Sequence, residues 1–356
     1  MWLEPFSLSL RSPLETARGR IGERRGFLVG LSGDNAVAGV GEATPLPGWT
    51  ESYAECETVL AACAADEPDS APTPDTHPAA AHALELAQLD ARGCHTQTPL
   101  ATLLRRTVFD DNASRTPPPV PVNATVGDAD PETTATQTAA AVDAGYDCVK
   151  CKVGVRDLDA DVRRLRAVVE AVGDDVSIRI DANGAWDRST AMRAVEAAAE
   201  LDLDYIEQPL AAGDLKGHCR LRGRGVDIAL DESLTQHTVG EVLAADAADV
   251  VVIKPMALGG PLRAVRAAKT ACDAAVEPVV TTTIDAVVAR TAAVHVAGAI
   301  PDVAPCGVAT GSLLADDLAP DPVVIERGEA HVPVGGGLCG DEFGVLRERI
   351  ETGGKR

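Results

Sequence analysis

Aromatic residues are scarce: three Trp, three Tyr and four Phe make up 3% of 356 residues. Lysine is scarcer still for its usual abundance, with six in the chain: Lys150, Lys152, Lys216, Lys254, Lys269 and Lys355. Positive charge as a whole is short, 32 Lys+Arg against 54 Asp+Glu, for a net charge of -22. A field of that sign repels nucleic acid and anionic lipid, so no nucleic-acid partner is expected. No run of eighteen apolar residues occurs, so no spanning helix and no membrane partner are expected. The stretch Met1-Trp2-Leu3-Glu4-Pro5 has neither a basic n-region nor an apolar h-region, which makes a cytoplasmic location the expectation. The nine cysteines lack any pairing pattern. Cys148 and Cys151 sit in an apolar run with no second Cys or His pair nearby, so buried reduced thiols are expected and a metal knuckle is not. An acidic, lysine-poor surface looks like adaptation to high salt, where self-repulsion is screened.

Apolar residues (46%) and charged residues (24%) are near the globular average, and the length suits about two domains. Residues 1–115 read as an α+β domain. Phe6–Leu10 and Arg25–Leu31 have strand character, and residues 51–65 and 78–105 have helical spacing. A Pro/Asp loop over 66–74 separates the helical segments, and Thr116-Pro117-Pro118-Pro119 marks a domain boundary. Over 116–320 the texture changes to short apolar runs alternating with Ala-rich charged segments. Strands are expected at 120–126, 148–153, 176–182, 204–208, 227–232, 249–254 and 278–284, with a weaker eighth near 303–308. Helices are expected between them, as at 157–171, 187–201 and 259–274. This alternation means parallel βα units, and the count fits a (β/α)8-type barrel better than a doubly wound open sheet. Residues 321–356 read as a tail that returns to complete the N-terminal capping domain.

Positions i and i+2 of a strand share a face. Val149, Cys151 and Val153 form one face of their run, and Lys150 and Lys152 the other. Ile178 and Ile180 oppose Arg179, Asp181 and Asn183. Ile206 opposes Glu207; Ile228 and Leu230 oppose Asp231 and Ser233; Val251 and Ile253 oppose Lys254. The apolar face suits the layer between strands and helices, so the charges point into the barrel, towards the C-terminal strand ends where barrel enzymes do chemistry. Three carboxylates and three ammoniums converge there. Asp181, Glu207 and Asp231, oxygen donors on three successive strands, suit Mg²⁺ better than a purely structural ion-pair network. Paired lysines near a divalent cation feel like charge, which lowers their pKa and fits them to take a proton from carbon.

Lys150-x-Lys152, Asp181-x-Asn183, Glu207-Gln208-Pro209, Asp231-Glu232-Ser233 and Ile253-Lys254-Pro255 resemble, in order and spacing, the enolase superfamily and its muconate-lactonising subgroup. Gly41-Glu42-Ala43 adds a match in the capping domain. The resemblance implies Mg²⁺ as cofactor, with Mn²⁺ an acceptable substitute, held by Asp181, Glu207 and Asp231 with Asn183 and Glu232 behind them. It implies Lys152 as base, Lys150 as its electrostatic aid, and Lys254 on the opposite side of a small-molecule carboxylate substrate. Pro45–Glu51, Thr281–Asp285 and Gly307–Gly311 look most like o-succinylbenzoate synthases. That resemblance implies a lyase of menaquinone synthesis, dehydrating 2-succinyl-6-hydroxy-2,4-cyclohexadiene-1-carboxylate through a metal-stabilised ene-diolate. Thr281, Thr283 and the Gly307 amide are then expected to donate to the succinyl tail. The Asp-x-Asp expected of dipeptide epimerases is absent from Ala304–Val308. N-succinylamino-acid racemase and cycloisomerase activities remain as alternatives on the same core, and a Schiff-base aldolase leaves the carboxylates unexplained. Arg18 and Arg20, in a candidate mobile loop with Gly19 and Gly22 as hinges, are candidates to attract a dianion, and a homo-oligomer is open to the chain.

Overall fold

A computed structural model describes residues 1–16, 19–33, 37–68, 70–111 and 116–353. Arg18 lies outside the described residues. The N-terminal part is an antiparallel sheet of β1 (Trp2–Thr16), β2 (Gly19–Ser32) and β3 (Val37–Ala43) in that order. Helices α1 (Tyr53–Ala64), α2 (Pro78–Thr96) and α3 (Leu100–Phe109) follow. The single helical stretch expected over 78–105 is thus two helices. Gln97 turns left-handed at φ 51° and Pro99 cannot continue a helix. Strand β3 lies directly on α2: a Cβ at Gly41 would run into the carbonyl of Ala83, and one at Gly39 into that of Ala87. Glycines on the strand and alanines on the helix are what this close approach requires.

The second part alternates strand and helix: β4 (Val120–Pro121), β5 (Ala124–Val126), α4 (Pro131–Asp143), β6 (Cys148–Lys152), α5 (Leu158–Val172), β7 (Ser177–Asp181), α6 (Arg188–Glu200), β8 (Tyr205–Glu207), α7 (Leu215–Leu221), β9 (Asp227–Leu230), α8 (Val239–Ala244), β10 (Val250–Ile253), α9 (Pro255–Leu258), α10 (Pro261–Asp273), β11 (Glu277–Val280) and α11 (Val287–Ala299). Strands β5 to β11 form one parallel seven-stranded sheet in sequence order. The expected strand at 120–126 is split, because Val120–Pro121 pairs instead with the tail hairpin β12 (Ile325–Glu326) and β13 (Glu329–Ala330). The expected eighth strand near 303–308 is reduced to two parallel bridges, Val122 with Cys306 and Thr281 with Gly307. Pro305 has no N–H to extend the ladder. These bridges connect Cys306–Gly307 to segments at both edges of the sheet. After β13 the tail reaches the N-terminal part. Leu338 N donates to Asp90, and α12 (Gly344–Gly353) carries Arg347, 3.0 Å from the same carboxylate.

Helix N-termini reveal how distant segments, most of them in different parts, are joined. The βα helices α4, α5 and α6 are capped locally by Asp130, Asp157 and Asp187. Four others have no side-chain cap of their own and borrow one. Glu51 accepts from Ala79 N and Ala80 N of α2, and Glu85 from Leu262 N of α10. Glu42 accepts from Ala286 N and Ala289 N of α11, each at 2.8 Å. His295 Nδ1 accepts from Ala101 N of α3, so its proton is on Nε2, which donates to Leu338 O. Burial keeps that imidazole at about 4, hence neutral.

Candidate active site

Register places the charges side by side. Lys152 pairs with Asp181 across β6 and β7, and Asp181 with Glu207 across β7 and β8. Asp231 follows the end of β9, and Lys254 follows β10 and opens α9. Each carboxylate has met an ammonium: Lys152 Nζ lies 2.6 Å from Asp181, Lys150 Nζ 3.0 Å from Glu207, and Lys254 Nζ 2.6 Å from Asp231. Lys150 also reaches Asp181 at 3.3 Å. Behind them Asn183 links two ends of the site, accepting from Lys152 at 2.9 Å and donating to Glu232 at 3.0 Å. Arg179 shares the inner face but sits lower, donating to Asp204 and to Pro305 O.

Burial decides the electrostatics. Burial, then the neighbouring Asp181, lifts the Glu207 carboxyl to about 8. Burial also pushes Asp181 up, but Lys152 and Lys150 hold it net below the usual carboxylate range. Like charge alone predicts depressed lysines. For Lys150 the direction is the reverse: burial pushes its ammonium down, but Glu207 and Asp181 raise it well above its ordinary value. Two buried carboxylates facing that amine outweigh its neighbour Lys152.

Among the described residues no three acidic, His or Cys side chains already converge as a metal cluster; each carboxylate faces its own ammonium. The donor chemistry nevertheless fits a hard divalent cation. Asp181, Glu207 and Asp231 are 1–3% exposed and offer only oxygen. Asp231 Oδ1 is buried without a hydrogen-bond partner, as is Glu232 Oε2. An orphan carboxylate oxygen at the meeting point of three strands is a site with acceptor capacity to spare.

The residues expected to hold a substrate tail are placed together but turned on one another. The Thr281 hydroxyl donates to Gly307 O at 2.8 Å, the Gly307 N–H donates to Val280 O, and the Thr283 hydroxyl donates to Asp285. All three donors are engaged, Thr281 and Gly307 where their segments bridge at the end of β11 and Thr283 in a local turn with Asp285. Arg20 lies in β2, at the turn from β1.

Three residues contribute in ways the sequence does not show. Trp49 stacks its ring against Lys254, with Nζ 3.4 Å from the centroid. Its loop is a tight turn, with Trp49 N and Thr50 N both donating to Leu46 O. The sequence signal was its place in Pro45–Glu51, which gives no partner for the ring. Arg24, buried in β2, donates to Thr44 O, Pro45 O and Ile284 O, joining that loop's base to the loop after β11. Gln208, fully buried, stands in the quoted Glu207-Gln208-Pro209 motif without a role assigned from sequence.

A family model described as "Enolase C-terminal domain-like" matches residues 133–340. The chain is 38% identical over 215 residues to an o-succinylbenzoate synthase of Thermobifida fusca, covering 59% of this chain and 65% of that protein. It is 32% identical over 223 residues to an N-succinyl-L-Arg/Lys racemase of Bacillus cereus, covering 62% and 58%. The matches therefore span less than two thirds of these relatives' lengths. The solved dipeptide epimerase of Enterococcus faecalis V583, complexed with Mg and L-Leu-L-Tyr, has a TM-score of 0.82 at 26% identity, covering 94% of this chain and 97% of that one. No helix among the described residues is long and apolar enough to cross a membrane.

Proposed function

We propose, for a chain that belongs to the enolase C-terminal domain-like family, that it is a cytoplasmic, Mg²⁺-dependent lyase converting 2-succinyl-6-hydroxy-2,4-cyclohexadiene-1-carboxylate to o-succinylbenzoate. The observation that carries this reading is the set of three lysine–carboxylate pairs at the ends of successive strands. A structural network would have no reason to gather all its charges at one end. We read the seven strands and the Cys306–Gly307 segment as eight positions of one barrel, with residues 1–115 and the tail as its cap.

In this reading Asp181, Glu207 and Asp231 hold Mg²⁺, with Mn²⁺ an acceptable substitute. Bound there, the metal supplies positive charge to the substrate carboxylate as its α-carbon loses a proton. Lys152 takes that proton: its side chain is 36% exposed, against 13% for Lys150 and 12% for Lys254, so it alone faces the open mouth. The same ammonium then returns the proton to the departing hydroxide, so one water leaves. Lys150, held cationic by Glu207 and Asp181, stabilises charge without moving a proton. Lys254, under Trp49, presents a cation from the opposite side.

The choice of substrate rests on the synthase relative and on the lack of an acidic pair at Ala304–Val308 to hold an ammonium group. Racemisation of an N-succinylamino acid is the second reading, favoured by the two lysines on opposite sides of the site and by the racemase relative. The test is conversion of the cyclohexadiene carboxylate, followed by absorbance, with Mg²⁺ and with EDTA. Fast, chelator-sensitive loss supports the lyase. No loss, together with solvent-deuterium exchange at the α-carbon of N-succinylamino acids, replaces it with the racemase.

A further inference from the structure

Gln208 sits between Glu207 and Pro209 and is 0% exposed. The β8–β9 ladder ends at Glu207 paired with Ala229. Beyond that point β8 has lost its means of pairing, because Pro209 has no N–H and Gln208 turns left-handed at φ 40°. Asp231 and Ser233 still present backbone N–H groups towards it. The side-chain amide of Gln208 takes over from the missing backbone. Its Oε1 accepts from Asp231 N and from Ser233 N, both at 3.0 Å. Its Nε2 donates to Ser233 Oγ and back to Leu210 O, both at 2.9 Å. Its own N–H donates to Ala229 O, and its carbonyl accepts from Gly184 N, in the loop after β7. One buried residue therefore ties together the ends of the three strands that carry Asp181, Glu207 and Asp231.

We propose that Gln208 is a positioning residue that sets the spacing between Glu207 and Asp231 and so tunes divalent-cation affinity. The proposal rests on the reading of these carboxylates as metal ligands. It follows from geometry: Asp231 lies past the last paired residue of β9, where nothing else in the β8 backbone holds it, and its Oδ1 is left without a hydrogen-bond partner. A partner that orients a ligand in this way is worth about 10–100-fold in metal affinity.

The test measures Mn²⁺ affinity by electron paramagnetic resonance on the full chain, beside melting in EDTA. Gln208→Met keeps the volume and removes the side-chain hydrogen bonds, including a long one from Nε2 to His218 Nε2 at 3.5 Å. Gln208→Asn keeps an amide but is one methylene too short to span to Asp231 N, and serves if the first variant does not fold. The expected result is a 10–100-fold weaker Mn²⁺ affinity in either variant, with loss of binding in Asp231→Asn. A purely structural role would lower the melting temperature in EDTA and leave Mn²⁺ affinity unchanged, and that result overturns the proposal while the metal reading stands. Failure of the unsubstituted protein to bind Mn²⁺ overturns both.

Discussion

Replacing Glu42 with glutamine isolates the carboxylate that joins β3 to the start of α11. Glu42 is fully buried; burial and then Asp285 raise its carboxyl from an ordinary 4.5 to about 7, against the lowering effect of Thr44 and the Ala289 amide. A folded-state value above the unfolded one means that the folded protein keeps a proton the unfolded chain has released. The associated stability is complete below about 4.5 and is lost as pH rises towards 7. At about 1.4 kcal/mol per pH unit the loss is about 3 kcal/mol. With an unfolding entropy of about 2.1 cal/mol/K per residue over a chain this long, that is a melting shift of about 4 °C. Glutamine has no such proton, so its curve lacks this fall. It also offers one acceptor where Ala286 N and Ala289 N need two, which costs about 1–3 kcal/mol at every pH. The variant should therefore melt below the parent at pH 5 and close the gap, or overtake it, by pH 8. Melting curves at constant ionic strength from pH 5 to 8 decide the matter. Parallel curves for the two proteins would refute the reasoning, because they would mean that Glu42 does not titrate in this range.

Three further outcomes are expected. Lys152→Ala should lower turnover by about 10²–10⁴-fold with Mg²⁺ binding retained, measured by absorbance kinetics and calorimetry; near-normal turnover would remove Lys152 as the base. Trp49→Ala should weaken kcat/KM by about 2–30-fold through loss of a cation–π contact worth about 0.5–2 kcal/mol, with little change in melting temperature. The net charge of -22 should make melting temperature rise steeply with added KCl between low and molar salt, and a flat response would show that self-repulsion is negligible.

The charged face of each strand was legible because strand alternation is local: Asp181 against Ile180, Glu207 against Ile206 and Lys254 against Ile253 needed only neighbouring residues. Partner choice was also close to hand, since parallel strands in sequence order leave adjacent charges adjacent in space. The eighth strand was less readable, because Cys306 and Gly307 owe their place to Val122 and Thr281 more than to their own propensity. Thr281 and Thr283 looked like donors to a ligand because sequence shows a hydroxyl but not its partner, here Gly307 O and Asp285. The role of Gln208, quoted only as part of a motif, was illegible for the same reason: its partners Asp231 and Ser233 lie 23 and 25 residues on. The break between α2 and α3 was written in Pro99, and the alanine-rich texture on both sides hid it.

The borrowed caps bear on synthesis and on chain engineering. Glu42 and Ala286 are 244 residues apart, so at about 5–20 residues per second the carboxylate waits roughly 10–50 s on the ribosome for the helix it caps. Throughout that interval Arg24 also lacks the Ile284 carbonyl. The N-terminal third is therefore born with a charged surface whose counterpart does not yet exist, and its contacts with the second part cannot form before most of the chain has emerged. The same dependence limits modularity. A chimaera that joins a foreign N-terminal part to this parallel sheet and its helices strips α10 and α11 of their capping groups, and His295 of its helix α3, in a single cut. To survive, the foreign part must supply carboxylates in place of Glu42 and Glu85 and a helix N-terminus that His295 can cap.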